Sequence, residues 1–407
     1  MNHGVQMTIK RIRIIDIVLI AYIISVFLFT AELDEIYISN IVFVIYGILV
    51  FFNIFQSNHG KITLKNTQFF LPIFLLAVVT IPIAINSSLA VEKAQTLALL
   101  IILFIMIYNT YHTEGNYNYI LIGFLIGGTI LSVRVVSLYG IALIGNSMSI
   151  GMRVGRDILQ LTYLGRYTYI AAIVALYLAY YKGKRIMFVL YAFCGFICVS
   201  SESRQSLITL IVVTTLLFLW KDFSKKKIYS LIRVMIVIAI VISLFRLPVL
   251  QAVTRRLIDG LTLQQTQYAG SFSDVKRIEM IRQGLIVFIH NPIFGIGLGG
   301  AREVVTGIIS EYKYLHNNYA ELLCCGGILG FIAYYSIYVV LFKRVRKTII
   351  LKGKNDELVL SIALLLGQLI SDMFAVNYYG KIQYIIFAYC FLSLSRRESV
   401  DVSIEGE

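Results

Sequence analysis

The chain predicts an all-α polytopic membrane protein with about twelve transmembrane helices and one large, partly helical outer loop between the ninth and tenth. Two observations carry that fold class. Of 407 residues, 58% are hydrophobic and only 14% charged. The apolar residues come in blocks of about 17–25, the length that crosses a hydrocarbon core of about 30 Å. A soluble protein of this size would interrupt such blocks with polar positions at helical spacing. A third observation sets the topology, because most short loops that carry Lys and Arg alternate with loops that do not.

In chain order, spans are expected at 14–31, 36–56, 68–85, 94–110, 118–141, 164–181, 185–201, 203–220, 229–247, 318–342, 357–376 and 380–395. The first has basic flanks at Lys10, Arg11 and Arg13, but its length and its end at Phe29-Thr30-Ala31-Glu32 read as a retained anchor, not a cleaved signal peptide. Basic clusters then recur at Lys61 and Lys65, at Lys182, Lys184 and Arg185, from Lys221 to Lys227, from Lys343 to Lys354, and at Arg396 and Arg397. The first opposite loop is acidic, with Glu32, Asp34 and Glu35. Both termini are therefore expected in the cytoplasm. The net charge of +14 is a topology signal and gives no reason to expect nucleic acid as a partner. Residues 1–407 read as one integral membrane domain, without internal repeats or low-complexity tracts.

Two outer segments break the charge rule. One, from about Asn146 to Tyr163, contains Arg153, Arg156 and Asp157. The other is the large extracytoplasmic loop, 248–315, with Arg255, Arg256, Lys276, Arg277, Arg282, Arg302 and Lys313. Basic residues on an outer face run against the insertion bias, so this loop is expected to meet an anion. A loop this long usually has structure or function of its own. Ser271-Phe272-Ser273-Asp274 offers helix N-caps, and apolar residues at 278, 281, 285 and 288 predict a helix over Val275 to His290, ended by Asn291-Pro292. The five Cys residues lack metal-ligand spacing with His and read as apolar packing.

Three outer helix starts carry a reactive or charged side chain. Arg204 opens the eighth span in Ser203-Arg204-Gln205-Ser206, Arg277 falls in the first turn expected of the loop helix, and His316 opens the tenth span. Helix N-termini attract anions through unpaired N–H groups. Two guanidiniums there would make a bidentate phosphate clamp, and a neutral imidazole beside them could take a proton from a hydroxyl. Each has a plainer reading: a boundary Arg snorkels, a lone His caps a helix, and Glu202 and Glu279 pair with nearby Arg. Gly295-Ile296-Gly297-Leu298-Gly299-Gly300 lacks a surrounding βαβ unit and reads as a tight turn returning the loop to the membrane.

Together these motifs resemble the O-antigen polymerase and O-antigen ligase family of bacterial envelope glycosyltransferases. The resemblance rests on Ser203-Arg204-Gln205-Ser206, on Arg277 through Gly299 with Asn291-Pro292-Ile293-Phe294-Gly295-Ile296-Gly297, and on His316-Asn317-Asn318-Tyr319 followed by Gly326-Gly327-Ile328-Leu329-Gly330. It is strongest over about 195–340. It implies glycosyl transfer at the outer face of the cytoplasmic (inner) membrane, without metal or cofactor, from a saccharide on undecaprenyl diphosphate. Arg204 and Arg277 would hold the diphosphate and His316 would orient or deprotonate the acceptor hydroxyl. Asn317, Tyr319, Arg282, Arg153 and Arg156 are further candidates for substrate contact. Implied partners are the lipid-linked oligosaccharide, the bilayer, and a chain-length regulator and flippase of the same pathway.

A polymerase lengthens the glycan on the next lipid-linked unit; a ligase moves it onto lipid A-core. The resemblance favours the polymerase, because divergent, Tyr- and Phe-rich members of that family are commonly polymerases. A flippase or transporter is the alternative of another class, but it should show repeated halves and broken midplane helices, and neither is evident. Three charges lie inside expected spans: Arg134, Arg233 and Asp372. Arg134 and Asp372 both fall in an outer half, as a cavity-lining pair or as simple structural partners.

Overall fold

The computed structural model describes residues 12–29, 36–57, 62–113, 116–150, 154–155, 158–222, 270–309, 314–353 and 355–402. Among them are thirteen α-helices and no strand. In chain order these are α1 (Ile14–Leu28), α2 (Ile36–Ser57), α3 (Leu71–Val79), α4 (Ser87–Tyr111), α5 (Asn118–Ile150), α6 (Leu161–Tyr180) and α7 (Met187–Ser200). There follow α8 (Arg204–Asp222), α9 (Gly270–His290), α10 (Ala301–Ile309), α11 (Asn318–Lys352), α12 (Asp356–Asp372) and α13 (Lys381–Val402). Five of them, α2, α4, α5, α6 and α11, are long and apolar enough to cross a membrane. Four shorter apolar helices lie within α1, α7, α8 and α13. The chain is a multi-pass membrane protein, but the expected twelve spans are not all found among the described residues.

Burial sorts the helices. The apolar window of α6 is 78% buried and that of α2 only 22%. Helix α6 packs against α5, α7 and α8, and its small Ala171, Ala172, Ala175 and Ala179 let those neighbours approach. A helix apolar on every side is stable only inside such a bundle. Helix α2 instead exposes Ile41, Val44, Ile48, Phe51, Phe52 and Phe55, the surface a hydrocarbon phase would cover.

The third expected span, 68–85, is corrected. Its helix α3 covers nine residues, about 14 Å at 1.5 Å per residue. A 3₁₀ turn, Ile81–Ile83, carries Pro82 and ends it. The chain stops short there because the 291–300 turn occupies the adjoining space. The Ile85 amide donates to the Ile296 carbonyl at 3.0 Å, and Gly297 seats against Ala84. The expected ninth span, 229–247, with Arg233, and the first part of the large loop lie outside the described residues.

The rest of that loop is fixed to the bundle. After α9 the chain makes the tight turn expected around Gly295, then α10. The turn docks into a break in α11 at Gly327, whose φ is +60°. The Ile328 amide donates to the Pro292 carbonyl at 2.8 Å, and the Ile296 amide to the Cys324 carbonyl at 3.1 Å. A Cβ on Gly327 would lie 2.3 Å from the Ile293 carbonyl oxygen, and one on Gly295 2.4 Å from the Cys325 backbone. Gly327→Ala combines that clash with a left-handed backbone, at about 1–3 kcal/mol for the strain alone. Its expected result is a clear drop in the Tm of the detergent-solubilised protein; an unchanged melt would show that the turn is not held there.

Candidate functional site

A cavity of about 220 Å³ opens at one end of the bundle. Its wall is built by the start of α6 (Leu161, Thr162), the α7–α8 turn from Ser201 to Gln205, one face of α9, His316, and the chain leaving α12 (Met373, Phe374). The Lys- and Arg-bearing α6–α7 turn lies at the other end of the same helices. Arg204, Arg277 and His316, far apart in sequence, all line this one cavity. Among the described residues, its other charged lining residue is Glu202.

Local sequence explains how each is held. Helices α7 and α8 are joined by only three residues, Ser201 to Ser203, and the turn closes because Glu202 adopts φ +50°. The Ser203 carbonyl accepts from the Leu207 amide at 3.1 Å, so Arg204 stands in the first turn of α8. The turn sits close on α6 because Gly165 faces it: a Cβ there would come 2.4 Å from Ser206 Oγ and 2.7 Å from Ser201 Oγ. Opposite, His316 has φ +56° and its ring packs 4.4 Å from that of Tyr314, centroid to centroid. Among the described residues only three besides glycine have positive φ, and two of them, Glu202 and His316, line the cavity. Such conformations cost energy and persist where the surroundings impose them, often at functional sites.

The structure separates His316 from the capping role. The cap of α11 is Asn317, whose Oδ1 accepts from the Ala320 amide at 2.9 Å and whose Nδ2 donates to the Met373 carbonyl at 3.0 Å. Asn317 thus braces the cavity rim without lining it. Arg277 is corrected in position. Helix α9 begins at Gly270, so Arg277 lies about two turns in, and the helix N-terminus lends it no anion-binding help. Tyr319 faces away, with its hydroxyl on the Leu369 carbonyl at 2.9 Å and its ring stacked on Tyr335. Arg282 is exposed and pairs with Glu279 at 3.3 Å; a hydrogen bond from Gln283, with Arg282 beside it, holds that carboxylate below its usual range. Tyr319 and Arg282 are therefore not in the cavity. Arg153 and Arg156 lie outside the described residues.

Beneath the cavity is a buried polar layer. Asp372, fully buried, accepts from Asn377 Nδ2 at 2.7 Å, from the Tyr335 hydroxyl at 3.1 Å and from Asn318 Nδ2 at 3.3 Å. Asn318 Oδ1 in turn accepts from the Asn377 and Tyr378 amides at 2.8 and 3.0 Å. The nearby cation is Arg166 of α6, which donates to Asn377 and Gln368. The expected Arg134–Asp372 pair is therefore corrected: Arg134 is half-buried on α5 and is not among the partners of Asp372. Arg166 carried the same signal, a charge inside an apolar span, but it stands two residues past the expected start at 164 and reads as a boundary cation.

Removing the Asp372 carboxylate leaves the buried donors of Asn377, Tyr335 and Asn318 without this acceptor, at about 1–3 kcal/mol for a buried group left unpaired. Asp372→Ala is thus expected to lower the Tm and membrane abundance sharply, and Asp372→Asn less so because it keeps the shape and much of the hydrogen bonding. Equal melts for the two variants would show that the hydrogen bonding asparagine keeps does not matter.

Residues 186–335 match the O-antigen ligase family. The match is consistent with the O-antigen polymerase and ligase family resembled by the sequence motifs, and Arg204, Arg277 and His316 all fall inside it. That family implies activity of the O-antigen polymerase or ligase type, the work of membrane glycosyltransferase-like enzymes. No curated protein matches the chain.

Proposed function

We propose that the cavity is the transfer site of a polymerase of lipid-linked oligosaccharide repeat units. The donor is a glycan on undecaprenyl diphosphate, and the acceptor is a hydroxyl of the next lipid-linked unit. Transfer takes place at the outer face of the cytoplasmic membrane, with both termini inside. The observation that supports this reading most is the meeting of two guanidiniums and one imidazole in a single cavity at the bundle end opposite the basic α6–α7 turn.

In the reaction the bond between the anomeric carbon and the diphosphate oxygen breaks. A new bond forms from that carbon to the acceptor oxygen, whose proton passes to His316. Negative charge grows on the departing undecaprenyl diphosphate, and fixed cations stabilise such charge most when it develops. Arg204 and Arg277 stand where they can receive it. A guanidinium offers parallel N–H donors that match two phosphate oxygens, and it stays charged at any working pH.

Ligation to lipid A-core uses the same bond changes, and the match to the ligase family favours it as the second reading. The two separate in one experiment. Purified protein is given a defined undecaprenyl-diphosphate repeat unit, with or without lipid A-core. A ladder of lengthened glycans on the lipid in both samples supports the polymerase; product found only on lipid A-core would replace it with the ligase.

A further inference from the structure

A second cavity, of about 150 Å³, backs onto the same wall. The first two turns of α6 divide the two, with Leu161 and Thr162 facing one and Tyr163 and Arg166 the other. The α12–α13 connection does the same with Phe374 and Val376. One chain of hydrogen bonds crosses the wall. Gln205, in the first cavity, donates to Ser371; Asn377 donates to Ser371 at 3.4 Å; Arg166, in the second, donates to Asn377.

The chemistry of this second cavity is cationic and half apolar. Lys381 donates to Ser39 Oγ at 2.9 Å and Asn40 Oδ1 at 3.0 Å, both neutral, and makes no ion pair among the described residues. Arg166 is 3% exposed, and its Nε has no hydrogen-bond partner. Its two terminal nitrogens are taken by Asn377 and Gln368, so Arg166 lends the cavity charge from within its wall. Opposite the cations stand Val26 and Phe29 of the α1 end. A lipid-linked phosphate has this same duality: oxygens for the ammonium and guanidinium, and a first isoprene unit for the apolar wall. At about 10–15 Å³ per water position, the cavity has room for a headgroup but not for an oligosaccharide.

We infer that this second cavity anchors the phosphate end of a second polyprenyl diphosphate, that of the acceptor, across the wall from the donor. The inference rests on the transfer reading above, in which two lipid diphosphates must be held at once. It assigns Lys381 and Arg166 to the acceptor, and Arg204 and Arg277 to the donor.

The test is the number of undecaprenyl diphosphate molecules bound per full-length chain, read by native mass spectrometry from nanodiscs of phosphatidylcholine and, separately, of phosphatidylglycerol. The wild type is expected to bind two in both lipids. Lys381→Met, which keeps the apolar stem, should bind one, as should Arg277→Ala, and the double variant none. Lys381→Arg should keep two. Retention of the Arg277-dependent molecule by Lys381→Met serves as its folding control. If that variant is not recovered, the wild type alone decides against the inference by binding one. Two molecules on Lys381→Met overturn it. Loss of the Lys381-dependent molecule only in phosphatidylglycerol also overturns it, showing a bilayer headgroup site. If Arg277→Ala still binds two, the donor reading of the first cavity fails and the second cavity stands.

Discussion

Replacing His316 by alanine is expected to stop chain growth while leaving donor binding intact. The cavity separates the two tasks: the diphosphate has two guanidiniums, whereas the acceptor hydroxyl, with a pKa far above neutrality, needs a base, and the imidazole stands in the same cavity. Loss of general-base assistance typically costs about 10²–10⁴-fold in rate. That loss would leave mainly single repeat units on the lipid, read from a gel of cell-surface glycan. The helix should survive, because Asn317 and not His316 caps α11. Release from the left-handed backbone is not a confounding gain, since alanine is no better suited than histidine to φ +56°. If the variant still makes long chains, the base lies elsewhere. If it also loses binding of a non-hydrolysable lipid-diphosphate analogue, His316 belongs to the donor.

Arg277→Lys is the second large effect. Lysine keeps the charge but replaces a planar fork with a single ammonium. If the fork spans two phosphate oxygens as charge develops, polymer length should collapse, with the protein's abundance in the membrane close to wild type. The structural reason to expect normal abundance is that Arg277 lines a cavity and is only half-buried. Polymer of normal length from the lysine variant would reduce Arg277 to a source of charge, or to none. Arg282→Lys is the internal control. Arg282 is exposed and occupied with Glu279, so that variant should behave as wild type.

The legible part of this fold is what composition and period control. Apolar blocks gave the helices, and Asn355 and Asn317 mark starts because a short polar side chain before an apolar run satisfies the first free amides. The interruption of α3 was only half legible: Pro82 marks it locally, but what fills the space beyond is distant in sequence. The stretch from Phe69 to Ile85 is apolar but for Thr80 and predicts a span, and the Gly295–Gly299 turn, about two hundred residues later, takes the space that the span would fill. The site divides in the same way. Arg204, Arg277 and His316 stand out as charged or reactive groups in known motifs. Arg282 and Tyr319 have equally suggestive positions in sequence, but which face of a helix meets a cavity depends on packing. Arg166 and Lys381 belong to no motif and become visible only where α6 and α13 share a wall.

The most direct measurement is turnover by the purified chain in sealed proteoliposomes, given a synthetic undecaprenyl-diphosphate repeat unit and a chelator, with no lipid A-core. The account predicts a ladder of lengthened glycans on undecaprenyl diphosphate, one undecaprenyl diphosphate released for each unit added, and neither product from Arg277→Lys or His316→Ala. Repeat units recovered at their original length, moved across the bilayer but never joined, would contradict it and make the chain a transporter.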